Sequence, residues 1–307
     1  MQRHFKGFLH GLGGLAVASA AASAAPSVDG TVDAVYGPAL AVQAVGTQFG
    51  NNTNPAVNIN NGSELNAAYG IVDGGFLYVT LTGNLESNFN KLDIFIDSVS
   101  GGQNKLRGDN PDVDFNGLNR MGDDGSGNGL RFDAGFESDY FLTTTGGNVG
   151  GTDFKFFANF AETLTGGGGV GGFIGESAAN GTVLNGSNGI VIGYNLSNVL
   201  GVGAFGNPND SDPATVATGI EMAIPLSLLG NPTGDIRIAA FVNGGGHDFA
   251  SNQFMGSLPA GTANLGEPRA IDLSQLPGNQ YFTVAVPEPT TLGLLAGALA
   301  LGLRRRK

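Results

Sequence analysis

The chain has 307 residues, 53 of them glycine, with no cysteine, no tryptophan, 13% charged residues and a formal net charge of −12. At 41% hydrophobic residues with 20 phenylalanines it is too apolar to be disordered, and its glycine lacks the every-third-residue period of collagen. The missing cysteines exclude disulfides, thiolate metal sites and cysteine nucleophiles, while the acidic balance argues against nucleic acid, since phosphate binding needs clustered Lys and Arg.

Residues 1–24 read as a secretory signal. Arg3 and Lys6 form its basic start, residues 8–17 its short apolar helix, and Ala22-Ser23-Ala24 an Ala-x-Ala cleavage site before Ala25. The body, residues 25–285, reads as all-β. Segments 67–72 and 76–82 flank Asp73-Gly74-Gly75, a hairpin signal. Residues 92–97 predict another strand. So do 131–132, 140–144, 154–160, 190–194, 217–224, 236–242 and 280–286, which are rich in β-branched and aromatic residues. No stretch of the body has a sustained helical period. Residues 225–230 predict a single helical turn opened by Pro225. Many short strands in one chain predict a single β-sandwich of jelly-roll type with long Gly/Asn-rich loops.

One acidic segment has ligand spacing. Asp112-Val113-Asp114-Phe115-Asn116-Gly117 matches the first half of a calcium loop, where hard oxygen ligands alternate and glycine permits the sharp turn. The candidate Ca2+ ligands are Asp112, Asp114, Asn116, the Leu118 carbonyl and Asp123, with Asp109 and Asp124 close by. Asp123 stands where such loops usually carry Glu, and the glycines from Gly125 to Gly129 cannot begin the usual following helix. An acidic loop built from Asx turns is therefore the other reading. Further on, residues 166–169 and 171–172 are all glycine and predict a long loop inside one domain.

Catalytic options are few. His247 is the one histidine left after signal removal, and there is no Gly-x-Ser-x-Gly segment to supply a nucleophile for a triad. His247 reads as a loop histidine hydrogen-bonded to backbone. No glycine run ends as a phosphate loop does. Glu221, between Ile220 and Met222, reads as the solvent face of an alternating edge strand. A glycosidase would need two carboxyls across a cleft. Tyr140, Phe141, Tyr194, Phe249 and Phe254 read either as sugar-stacking rings or as core and turn packing. Residues 251–255 read either as a binding loop or as a sandwich-end loop.

The last 22 residues have three parts: Val286-Pro287-Glu288-Pro289, an uncharged stretch at 290–303, and Arg304-Arg305-Arg306-Lys307. Fourteen uncharged residues give about 21 Å of helix at ~1.5 Å each, short of the ~20 residues of a comfortable span. The four cations behind it favour the cytoplasmic side. This order resembles the PEP-CTERM sorting signal of Gram-negative bacteria. The resemblance implies export by the secretion translocase and transient insertion of 290–303 in the inner membrane. Handling by an exosortase near Pro287-Glu288-Pro289 would follow, then release to the cell surface or the extracellular space. The two ends hold six of the 14 Lys and Arg and one of the 26 Asp and Glu, leaving the body eight cations, 25 carboxylates and a net charge of −17.

A second resemblance covers most of 28–242. Val28-Asp29-Gly30-Thr31-Val32-Asp33 with Tyr36, the hairpin holding Leu77-Tyr78-Val79, the 93–97 strand and Gly219-Ile220-Glu221-Met222-Ala223-Ile224-Pro225 are similar in order to DOMON-like sandwiches, which include family 9 carbohydrate-binding modules. Those modules usually grip sugar with Trp, which is lacking here, so only the fold carries over. The expectation is an exported, non-enzymatic protein with a structural or exopolysaccharide-matrix role, Ca2+ bridging its acidic groups if the calcium reading holds. A carbohydrate-binding module and a carboxylate-dependent glycoside hydrolase or lyase are the alternatives.

Overall fold

The computed structural model describes residues 24–50, 62–150, 153–178, 183–206, 211–256 and 258–287. The signal up to residue 23 and the tail from residue 288 lie outside these, and so do the two terminal helices expected from the sequence. The described residues are all-β, with strands in two antiparallel sheets packed as a sandwich. Sheet one runs in the order β1 (Ala41–Val42), β2 (Glu64–Asp73), β3 (Phe76–Asn84), β10 (Gly219–Pro225), β9 (Val191–Tyr194), β8 (Val183–Asn185). Sheet two runs β12 (Ala250–Met255), β11 (Ile236–Asn243), β4 (Asn88–Asp97), β5 (Tyr140–Val149), β6 (Asp153–Glu162), β7 (Gly171–Ala178). The last strand, β13 (Phe282–Val284), pairs with the first half of β11, and β12 pairs with the second half.

Period-2 alternation decides which side chains meet. Leu77, Val79 and Leu81 of β3 face Leu92, Ile94 and Ile96 of β4 in the space between the sheets. Ile220, Met222 and Ile224 of β10 and Ile238, Ala240 and Val242 of β11 complete that core. The β2–β3 hairpin closes as expected: Asp73 pairs with Phe76, and Gly74 and Gly75 both take positive φ (56° and 87°), as a type I′ turn requires. Leu226–Leu229 forms the expected single turn, of 3-10 type, ended by left-handed Gly230.

The outer face of β4 and its neighbours is apolar over part of its area. Phe95, Phe141, Ala161 and Phe241 project from the outer face of sheet two into a second core. Among the described residues no α-helix covers them. Leu106, Leu118, Met121, Phe132 and Phe136 from the 98–138 connection do so, with Ile271 and Leu273 from the segment before β13. Residues 131–132 therefore form isolated bridges rather than the expected strand: Arg131 N–H bonds to Ile271 O, and Leu273 N–H to Arg131 O. Two more segments differ from expectation. Residues 251–255 lie wholly buried in β12, where the Phe254 ring stacks on Phe241 at 4.4 Å. Gly171 and Gly172 open strand β7, so only the residues before them form the loop.

Glu221 also departs from the reading. It does point away from the main core, but β10 is central and the N-terminal segment lies across it. Gly193 on the neighbouring strand permits this close approach, since a Cβ there would sit 2.7 Å from the Asp29 Cα. The Glu221 carboxylate is fully buried and accepts from Asp29 N–H (2.9 Å), Gly30 N–H (3.1 Å) and the Tyr36 hydroxyl (2.7 Å). Burial pushes its pKa up against those donors. Replacing Glu221 with Leu orphans three donors at once, two of them, Gly30 N–H and the Tyr36 hydroxyl, buried. The expected cost is about 3 kcal/mol or more, read as a lowered urea midpoint; an unchanged midpoint would show that the N-terminal segment is held by other contacts.

Candidate functional site

The second core covers only part of the outer face of sheet two. Beyond its edge lie two cross-strand rungs. Lys91, Thr145 and Phe157 form one. Asp93, Thr143, Asn159 and Phe173 form the other. Residues of these rungs floor a groove of about 610 Å3. Asp114 and Phe115 of the acidic segment wall one side, and Phe89 and Gly245 close it. Phe89, Phe115 and Phe173 are 37%, 69% and 57% exposed. Single exposed apolar residues are ordinary, but here three exposed rings line one concavity. Phe89 sits in a bulge of β4 with a φ of 67°, and its ring lies over Gly147, where a Cβ would come within 2.5 Å.

Beneath the Phe115 wall is a chain of buried ions. Lys91 Nζ lies 2.7 Å from Asp114 Oδ2. His247 Nε2 lies 3.1 Å from the same oxygen, and His247 Nδ1 lies 3.0 Å from Asp93 Oδ2. Asn243 Nδ2 donates to that Asp93 oxygen at 3.0 Å. Burial pushes the Asp114 carboxyl up, but its bonds and charge contacts with His247 and Lys91 prevail and hold it at about 2. Burial likewise pushes the imidazole down, but Asp93 and Asp114 prevail and raise it to about 9. At neutral pH the ring is therefore an imidazolium whose two N–H groups both donate. The expected backbone partner is replaced by two carboxylates. Four of the five described non-glycine residues with left-handed φ, namely Phe89, Asp114, Asn116 and His247, belong to this region. Such strain persists only where the surroundings over-determine it.

The calcium-spaced residues are not gathered. Gly117 makes the sharp turn expected of it (φ 57°), but Asp114 faces Lys91 and His247. Asp123 pairs with Lys105 and accepts from Gly125 and Gly127 N–H. Asp109 pairs with Arg107, and Asp124 with Arg269. Asp112 lies against Gly117, and Leu118 and Asn116 add no carboxylate. Among the described residues no group of three or more His, Asp or Glu is placed to hold a metal ion. The segment forms Asx-type turns and ion pairs to cations brought from elsewhere in the chain.

Of the candidate rings, Phe141, Tyr194 and Phe254 are fully buried. Tyr140 stacks on Phe160 and Phe249 on Phe49, away from the groove. The groove rings were not among those candidates. The available signal was alternation: Lys91 and Asp93 interleave with Leu92 and Ile94, placing charge on the second face of a strand.

The ion chain sets a pH profile. Asp114 contributes stability that is present above its unfolded value, ~3.9, and lost as pH falls toward 2. His247 contributes stability that is full below ~6.5 and lost as pH rises through about 9. A series of urea midpoints is expected to fall at both ends. Asp114→Asn should flatten the acid limb; an acid limb equal to that of the parent would place the loss elsewhere.

The sheet releases the chain at Val284, and Pro287 is exposed three residues later. Glu288, Pro289 and Arg304 to Arg306 lie outside the described residues. No helix among the described residues is long and apolar enough to cross a membrane, which says nothing of strands. No curated protein and no solved structure matches the chain. Residues 285–307 match the PEP-CTERM protein-sorting motif. The chain thus carries the PEP-CTERM sorting motif behind a β-sandwich, a motif that indicates export to the cell surface and implies handling by an exosortase.

Proposed function

We propose that this exported sandwich is a non-enzymatic, exopolysaccharide-associated protein that holds an uncharged glycan in the groove of sheet two. The observation that carries this reading is the three exposed phenylalanine rings set around a hydrogen-bonding floor. A pyranose presents C–H faces to such rings and hydroxyls to groups such as Thr145 and Asn159. Charge narrows the ligand. Lys91 and Asp114 neutralise one another in the groove, and a body of net charge −17 repels anionic polymer. Glycoside hydrolysis finds less support: among the described residues Asp114 is the one carboxylate lining the groove, and two cations hold it, whereas the reaction needs a pair.

Phe115→Ala and Phe173→Ala are each expected to weaken binding to a neutral polysaccharide roughly fivefold, about 1 kcal/mol per ring, with the melting temperature unchanged. Equal affinity in both variants would remove the groove from the reading, and glycan turnover lost in Asp114→Asn would replace binding by catalysis. Deleting residues 286–307 is expected to abolish delivery to the cell surface in fractionated cells. Normal surface display of the truncated chain would show that the body carries its own address.

A further inference from the structure

We propose that Asp93, His247 and Asp114 form an ionic clamp that fixes the 112–117 segment over sheet two and so sets where the Phe115 ring stands, making His247 a positioning residue of the groove. The inference rests on the groove being the binding site, and it names the part that shapes it.

Apart from Asp114, the segment is placed by packing: Pro111 and Val113 lie against Gly171, and the Asn116 amide lies beside Gly246. On one side Val113 is buried in the second core. On the other, Phe115 stands 69% exposed on the groove wall. Within the segment, the backbone bond from Leu118 N–H to Val113 O is local. Asp114 supplies its polar tie to the sheet, through Lys91 on β4 and through His247. His247 is fixed from behind. It is fully buried, its N–H bonds to Gly244 O at 3.0 Å, and its Nδ1 is held by Asp93 on β4. The imidazolium thus joins a sheet carboxylate to a loop carboxylate, with one N–H for each.

The balance of charge makes the clamp proton-dependent. Two cations, Lys91 and His247, face two anions, Asp93 and Asp114. The other groups around the ring are Asn243 of β11, which is neutral, and the Phe141 ring of β5, which meets it edge-on at 6.1 Å. Asp248 follows His247 in the chain, with its carboxylate toward Gly244 and Gly246 and its charge felt by Arg120. Removing one proton from the ring leaves a nitrogen lone pair against a carboxylate and one unbalanced negative charge. Buried groups tolerate neither. The raised imidazole value places this release near pH 9, with the clamp closed below it.

The lack of tryptophan gives a clean test, because Phe115→Trp makes the only indole in the chain. In the full chain carrying that change, emission and acrylamide quenching are expected to stay constant through neutral pH. As pH passes about 9 the emission should shift red and quenching should rise, with the far-UV strand signal retained. Adding His247→Gln should give the released spectrum at every pH and abolish the step. If that double variant loses its strand signal, Phe115→Trp with Asp114→Asn decides, and the same loss of the step is expected. A flat profile with His247 intact, or a step that survives either second change, overturns the clamp. Neutral-polysaccharide binding measured on the same samples separates the two ideas. A pH step in the indole signal without binding at any pH keeps the clamp and removes the glycan reading. Binding without the step does the reverse.

Discussion

Sheet two is apolar on its inner face and over part of its outer face, and the described chain has no long helix to lay over either one. One face is covered by sheet one. The other must be covered by irregular backbone, whose N–H and C=O groups then need partners in a dry place. Side chains provide them. Asn104 Nδ2 donates to the carbonyls of Phe132, Asp133 and Phe136. Asp139 accepts from Ser98 and Val99 N–H, and Asp133 from Gln280 N–H. The many short polar residues between the strands are thus the hydrogen-bonding frame of the second core. The groove lies where that cover stops.

Each sheet also holds an overlying segment with a buried carboxylate, and the two use opposite electrostatics. Glu221 ties down the N-terminal segment with neutral donors, so burial dominates and its pKa rises. Asp114 ties down the groove wall with cations, so attraction dominates and its pKa falls. A tie made by neutral donors survives protonation of the carboxyl with part of its bonding intact. A tie made by ions loses its basis once either partner changes charge. The N-terminal cover is therefore the more permanent of the two, and the groove wall the more responsive.

Local pattern carried much of the fold. The Asp73-Gly74-Gly75 turn, the alternation of β3, β4, β10 and β11, and the Pro225 turn could be read directly, because each depends on residues within a few positions of one another. What escaped depended on distant chain. Glu221 reads as solvent-facing until residues 29–36 are laid over β10. His247 reads as a loop histidine until β4 and the acidic segment bring carboxylates from 154 and 133 positions away. The 112–123 spacing reads either as a metal loop or as an acidic loop of Asx turns, because sequence shows the carboxylates and not the cations that Asp114 and Asp123 meet, Lys91 and Lys105. The groove rings escaped for the same reason, since Phe89, Phe115 and Phe173 come together only across the breadth of one sheet.

Strand β13 gives the sorting motif a mechanical setting. It shares one edge of β11 with β12, so the sheet is complete only when the last residues before the tail have taken their place. From Val284 to Pro287 the extended chain reaches roughly 10 Å. A membrane enzyme gripping the chain there would work with a folded sandwich almost touching it, and the negative body would be held close to the lipid headgroups until the cut. An enzyme acting at the motif would therefore meet clearance as well as recognition as a constraint, with the folded edge of the sandwich beside the chain it must reach.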